Sequence, residues 1–242
     1  MFRALAAFCY ELLNARPTGA FAPRVRVMPC LVLVHGAVTG VDVWDAVLPY
    51  LGSFEVRVPE RPRTGSLARE VAWLASVAAD CWVVGLSGGA TLGLALAATD
   101  VPLAGAVLHE PAVGSLAPGL LRPVASAFAA SGVAGLGSTL YGPSWNPSVC
   151  PPPAGAAAGA ELAMFRSFEP APLSPAAGRV VVTYGGASPA VRRTAAEALL
   201  PLGASVQPIP GVGHFAPYDH PAAFAATIAD VIRAGRPPVP GV

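Results

Sequence analysis

The hydrophobic pattern of this chain is a series of short apolar runs, rich in β-branched residues and stopped by glycine, proline or a charge. "CLVLVHG" (Cys30 to Gly36) is the first clear one, and continuous apolar character of this kind marks a strand covered on both faces. "FEVRVPE", "DCWVVGLS", "LAGAVLHE", "RVVVTYGG" and "ASVQPIP" repeat it. Between the runs the spacing turns helical. From Ser66 to Ala79, residues Leu67, Val71, Leu74, Ala75 and Ala78 fall on one face, with Ser66 placed to cap the first turn. Strands alternating with helices predict an α/β fold built on a mostly parallel, doubly wound sheet.

The alternation breaks once, between about residues 114 and 175. There "SWNPSVCPPPAGAAAGAELAMFRSFEP" offers proline and glycine clusters around two or three short helices and no strand pattern. The expected organisation is therefore a core of residues 1–113 and 176–235, a small, largely helical lid insertion at 114–175, and a frayed proline-rich tail at 236–242. The N-terminal "MFRALAAFCYELLNARP" reads as an amphipathic helix, because Glu11 and Asn14 interrupt it before a signal-peptide core forms. Apolar runs elsewhere are punctuated by Gly and Pro, so no membrane span is expected.

Composition narrows the partners. The chain has 242 residues, 54% hydrophobic and 12% charged, with a net charge of +1 and no lysine. No basic field exists to hold nucleic acid or an anionic membrane. Cys9, Cys30, Cys81 and Cys150 form no CxxC pair and have no histidine companions, so neither a metal site nor a disulfide framework is expected, and the simplest location is the reducing cytoplasm. A monomer or homodimer acting on a small molecule fits these bounds.

The candidate chemistry centres on "WVVGLSGGATLGLALA". Gly85, Leu86, Ser87, Gly88 and Gly89 fit GxSxG between an apolar strand and an apolar helix. A serine in such a sharp turn is strained, which small neighbours two residues away make tolerable, and its hydroxyl then sits at a helix N-terminus. The alternative is a simple glycine-rich turn.

With this motif, and with His35 and Gly36 closing the strand "LVLVHGAVTG", the chain resembles the α/β-hydrolase family from about Pro29 to Ala234. The resemblance implies a serine hydrolase without metal or organic cofactor, Ser87 as nucleophile, and the backbone N–H groups of Ala37 and Gly88 as oxyanion hole. His35 itself reads as a structural histidine. The family's base comes last in the chain, and His214 in "PGVGHFAP" stands there; His109 and His220 fit less well.

The acid departs from the pattern. The family commonly has an Asp in the loop after the strand read as "RVVVTYGG", where this chain has Ser188. Among the carboxylates between Ser87 and His214, only Glu110 follows a strand at its C-terminal end, the edge where open α/β sheets gather their active residues. Glu110 thus stands as the acid, against a loop cap or salt bridge with an arginine, or a Ser87–His214 dyad oriented by Ser188 or a backbone carbonyl. Trp145 and Phe165 in the insertion, and Arg61 after "FEVRVPE", are candidate substrate contacts, each with a packing or solvated-loop alternative. The expected reaction is hydrolysis of a small or medium carboxylic ester or thioester through an acyl-enzyme. The alternatives are other acyl or carbon–carbon bond chemistry in small-molecule biosynthesis, or a non-catalytic ligand-binding protein on the same scaffold.

Overall fold

A computed structural model of the chain describes residues 28–148 and 153–235. The expected N-terminal helix, the tail, Cys9 and Cys150 lie outside the described residues. Six strands form one sheet: β1 (Cys30–Val34), β2 (Glu55–Arg57), β3 (Trp82–Leu86), β4 (Gly105–His109), β5 (Arg179–Gly185) and β6 (Ser205–Ile209). Their spatial order is β2-β1-β3-β4-β5-β6, and every neighbouring pair is parallel. Each expected strand is present. All residues of β3 and β4 are buried, so the sheet is covered on both faces, as continuous apolar runs require.

The connecting helices are α1 (Leu67–Ala78), α2 (Gly88–Ala97), α3 (Arg122–Tyr141), α4 (Gly155–Arg166), α5 (Ala190–Glu197), α6 (Ala216–Asp219) and α7 (Pro221–Ala234). Helix α1 matches the predicted apolar face, but Ser66 makes no side-chain capping bond. The Glu70 carboxylate instead turns back to accept the Thr64 N–H, so it is a glutamate inside the first turn that closes the entry to the helix.

One expectation fails at this level. Leu31 lies opposite Trp82 in the parallel register, which makes Cys30 and Cys81 neighbours with Cα atoms 4.8 Å apart, and they form a disulfide. The cytoplasmic expectation, which leaned on unpaired cysteines, loses that support. In the segment between β4 and β5, Arg122–Ser144 is long and apolar enough to cross a membrane by length and composition alone, a test that the core helix of a globular domain also passes. It is broken by non-helical dihedrals at Ser131 and Gly132, and past that kink Leu136, Leu140 and Tyr141 are buried.

Candidate active site

Three strand ends meet at the C-terminal edge of the sheet, and each carries backbone strain. Val38 beyond β1, Ser87 after β3 and Glu110 after β4 have φ of 50°, 53° and 50°. Left-handed dihedrals are costly for any of these residues and most of all for a β-branched valine, and such strain concentrates where a side chain must be held in one place.

The elbow at Ser87 exists because its glycines allow it. A Cβ on Gly85 would lie 2.6 Å from Ala90 backbone atoms, and one on Gly89 would collide with the Val34 carbonyl. The Ser87 N–H donates to the His109 carbonyl at 2.9 Å, tying the elbow to β4. One turn into α2, Thr91 Oγ1 donates to the Ser87 carbonyl at 3.1 Å and accepts the Ala112 N–H at 2.9 Å. The elbow is thus locked to the loop that follows Glu110.

Glu110 and His214 come together as the strand-end argument expects. His214 Nδ1–H donates to Glu110 Oε2 at 2.6 Å, and Gly185 N–H donates to Glu110 Oε1 at 2.8 Å. Both side chains are buried. Ser188 Oγ has no hydrogen-bond partner among the described residues. His109, which sequence reasoning set aside, is a positioning residue, because its Nε2–H donates to the Gly213 carbonyl at 3.2 Å and so holds the loop carrying His214.

The loop that lacks the family's Asp supplies a cation instead. Arg192 in α5 lies 3.3 Å from Glu110 Oε2. Burial pushes the His214 imidazole below the ordinary histidine range, and the Arg192 charge pushes in the same direction. Burial opposes ionisation of Glu110, but the hydrogen bond from His214 and the charges of His109 and Arg192 outweigh it and keep the carboxylate well below its usual range.

Above Ser87 two backbone donors lie side by side. Ala37 N is 3.1 Å from where a Gly88 Cβ would stand, and neither N–H has an acceptor among the described residues. The loop carrying Ala37 is held from several directions. His35 donates through Nδ1 to the Gly36 carbonyl at 3.2 Å and accepts the Arg61 N–H at 3.3 Å, which is a structural role. Tyr141 donates its hydroxyl to the Ala37 carbonyl at 2.7 Å, and Trp145 Nε1–H donates to the Val38 carbonyl at 3.0 Å.

The structure gives Trp145 and Arg61 partners within the protein and places both outside the lining of the Ser87 cavity. Trp145 packs on Gly137 and braces the strained Val38. The Arg61 side chain is fully buried. It donates to Glu161 Oε1 at 2.6 Å and Glu70 Oε2 at 3.3 Å, and it reaches the His35 and Gly36 carbonyls. Glu161 belongs to α4, so this ion pair fastens the insertion to the β1 loop. A buried guanidinium requires such partners, and two carboxylates brought from elsewhere in the chain supply them.

Phe165 does face the site. Its ring edge is 2.6 Å from where a Gly88 Cβ would be. Together with Leu121, Val124, Leu136, Leu140 and Leu162 it closes an apolar roof over Ser87, leaving a cavity of about 20 Å³. That is room for about one water. Tyr141 stacks on His214 with ring centroids 5.4 Å apart. Burial raises its phenol pKa, and the Ser87 and Thr39 hydroxyls lie beside it. Among the described residues no cluster of three or more His, Cys, Asp or Glu side chains is placed to hold a metal ion.

Comparison with known proteins agrees with this architecture. A family model described as the Alpha/beta hydrolase family matches residues 31–227. No curated protein matches the sequence. Similar solved structures include an enol-lactonase from Burkholderia xenovorans, at 20% identity and TM-score 0.63, covering 85% of this chain and 91% of that one. NosK from Streptomyces actuosus aligns at 23% identity and TM-score 0.62, over 86% and 99% of the two chains. Carboxylesterase CesB from Bacillus subtilis aligns at 15% identity and TM-score 0.59, over 87% and 86%. At these identities the likeness speaks for the fold.

Proposed function

The chain belongs to the alpha/beta hydrolase family, and from that premise we propose that it is a serine hydrolase that cleaves a small or medium carboxylic ester or thioester through an acyl-enzyme on Ser87. The observation that carries this reading is the buried His214–Glu110 hydrogen bond at the strand edge that also presents Ser87. Glu110 fixes the proton on Nδ1, so Nε2 carries a lone pair. That nitrogen is buried and has no hydrogen-bond partner among the described residues, Ser87 Oγ included, so in this reading the two side chains close up to hydrogen-bond distance when substrate binds.

As His214 Nε2 takes this proton, Ser87 Oγ bonds to the substrate carbonyl carbon. The oxygen of that carbonyl becomes negative and is held by the N–H groups of Ala37 and Gly88. Collapse breaks the ester or thioester bond, and the leaving group departs with the proton from His214. A water, deprotonated by His214, then attacks the acyl-enzyme and releases the acid, and Ser87 recovers its proton. Two backbone donors suit the oxyanion step, since each such donor is worth about 10²- to 10³-fold in rate. The lactonase and carboxylesterase among the similar structures are in keeping with acyl transfer to water.

A fluorophosphonate probe tests the reading, because it bonds irreversibly to an activated serine. Intact mass is expected to show one adduct on the wild type and none on Ser87→Ala. An unmodified wild type, or an undiminished adduct on the variant, refutes the proposal.

The acid limb of kcat/KM should report the imidazole of the free enzyme. Only neutral His214 accepts a proton, and its pKa is lowered by burial and then by Arg192. The limb is therefore expected below the ordinary histidine value of about 6.5. The groups facing the ring are Glu110, His109, Arg192 and Tyr141. Arg192→Met removes a cation, makes protonation easier and moves the limb to higher pH; a pH–rate profile that is unmoved, or moved to lower pH, contradicts this assignment.

A further inference from the structure

A second cavity, of about 280 Å³, lies behind the roof of the Ser87 cavity and shares Ala112, Leu121 and Phe165 with it. It is close to the lower end of small-molecule sites, about 300 Å³. Its inner wall is apolar, and two arginines stand on its lining, Arg122 at the start of α3 and Arg166 at the end of α4. Both are exposed, and among the described residues neither side chain makes an ion pair or a hydrogen bond. The other cations near the active site have acidic partners: Arg61 and Arg63 meet Glu161, and Arg192 meets Glu110.

No carboxylate lines this second cavity. Glu169, the acid nearest to it by way of Gly114, is engaged by the Ser115 N–H at 3.0 Å and the Ser115 hydroxyl at 2.7 Å. The Arg122 guanidinium is folded over Gly119, which has φ of 84° and where a Cβ would come within 2.8 Å of Nη2. Glycine there gives both the left-handed turn and the space for that side chain.

We infer that this outer cavity is the subsite for the far end of the acyl group and that this end carries a carboxylate, held by Arg122 and Arg166. The substrate class is then an ester or thioester of a dicarboxylic acid, joined to the enzyme through one carboxyl and recognised through the other. The inference rests on the serine-hydrolase reading and adds its substrate class. Phe165 is the partition: it covers Gly88 on one side and lines the outer cavity on the other, so its displacement joins the two spaces into one apolar channel with a cationic end. A planar guanidinium suits a carboxylate at such an end, and an apolar channel suits the methylenes between.

The test compares 4-nitrophenyl half-esters of succinic, glutaric and adipic acids with the same compounds capped as methyl esters, following nitrophenolate release. The wild type is expected to favour the free acid at the best chain length by about tenfold in kcat/KM, mostly through KM, as two exposed charge-assisted contacts allow. In Arg122→Gln/Arg166→Gln the ratio of acid to capped ester is expected to fall to about one. Turnover with no preference at any chain length, or a preference that survives in the double variant, overturns the inference and leaves the hydrolase reading standing. Turnover of none of the esters removes that reading and this inference with it.

Discussion

Ser87→Ala and His214→Ala are each expected to lower kcat on a chromogenic ester by about 10⁶-fold, and the double variant by no more than either alone. The reason is that nucleophile and base act as one unit. Without the imidazole, Ser87 is an ordinary alcohol; without Ser87, the imidazole has no proton to take. What should survive is a residual rate about 10³- to 10⁴-fold above water, supplied by substrate binding and by the Ala37 and Gly88 donors. Kinetics on variants with unchanged near-ultraviolet circular dichroism check this. Losses that add in free energy would mean that the two residues work independently, and a Ser87→Ala enzyme with substantial activity would place the nucleophile elsewhere.

Much of this geometry was legible in the chain because it depends on local patterns at strand ends. β3 and β4 announce themselves as buried apolar runs, and Ser87 and Glu110 follow them directly, while the loop before His214 follows the half-exposed β6. Placing Glu110 needed only the rule that active groups gather at the C-terminal edge of a parallel sheet. The misreadings share a different cause. Arg61 looked available to a substrate because nothing near it in sequence signals Glu161, 100 residues away, as its partner. Tyr141 and the Ala37 carbonyl meet across 104 residues, and that meeting depends on how the insertion folds back over the site. Cys30 and Cys81 are 51 residues apart, a spacing that means nothing until strand register makes them neighbours. Arg192 opens the helix after the loop where the family carries its Asp, and its charge adds to the larger effect of the His214 hydrogen bond in keeping Glu110 ionised just beyond β4.

Glu110→Gln is expected to lower kcat by about 10³- to 10⁴-fold while the protein stays folded, by analogy with neutralised acids in other triads. Glutamine keeps the size of the side chain but not its acceptors. Glu110 accepts two hydrogen bonds, Gly185 N–H on Oε1 and His214 Nδ1–H on Oε2, and Arg192 pairs with Oε2 at 3.3 Å. An amide has one oxygen. With that oxygen toward Gly185, its NH₂ group faces the His214 donor and the Arg192 cation, and the imidazole escapes by moving its proton to Nε2, where it can no longer accept from Ser87. With the oxygen toward His214, the NH₂ opposes the Gly185 N–H, and the negative charge that steadies the imidazolium is still gone. Either arrangement penalises the transition state more than the resting enzyme, so the loss should appear in kcat. Ser188→Ala provides the contrast: its Oγ has no hydrogen-bond partner among the described residues, so its removal should change kcat by no more than about twofold. A folded Glu110→Gln enzyme with a near-normal rate, or a Ser188→Ala enzyme with a collapsed one, would take the role of acid away from Glu110.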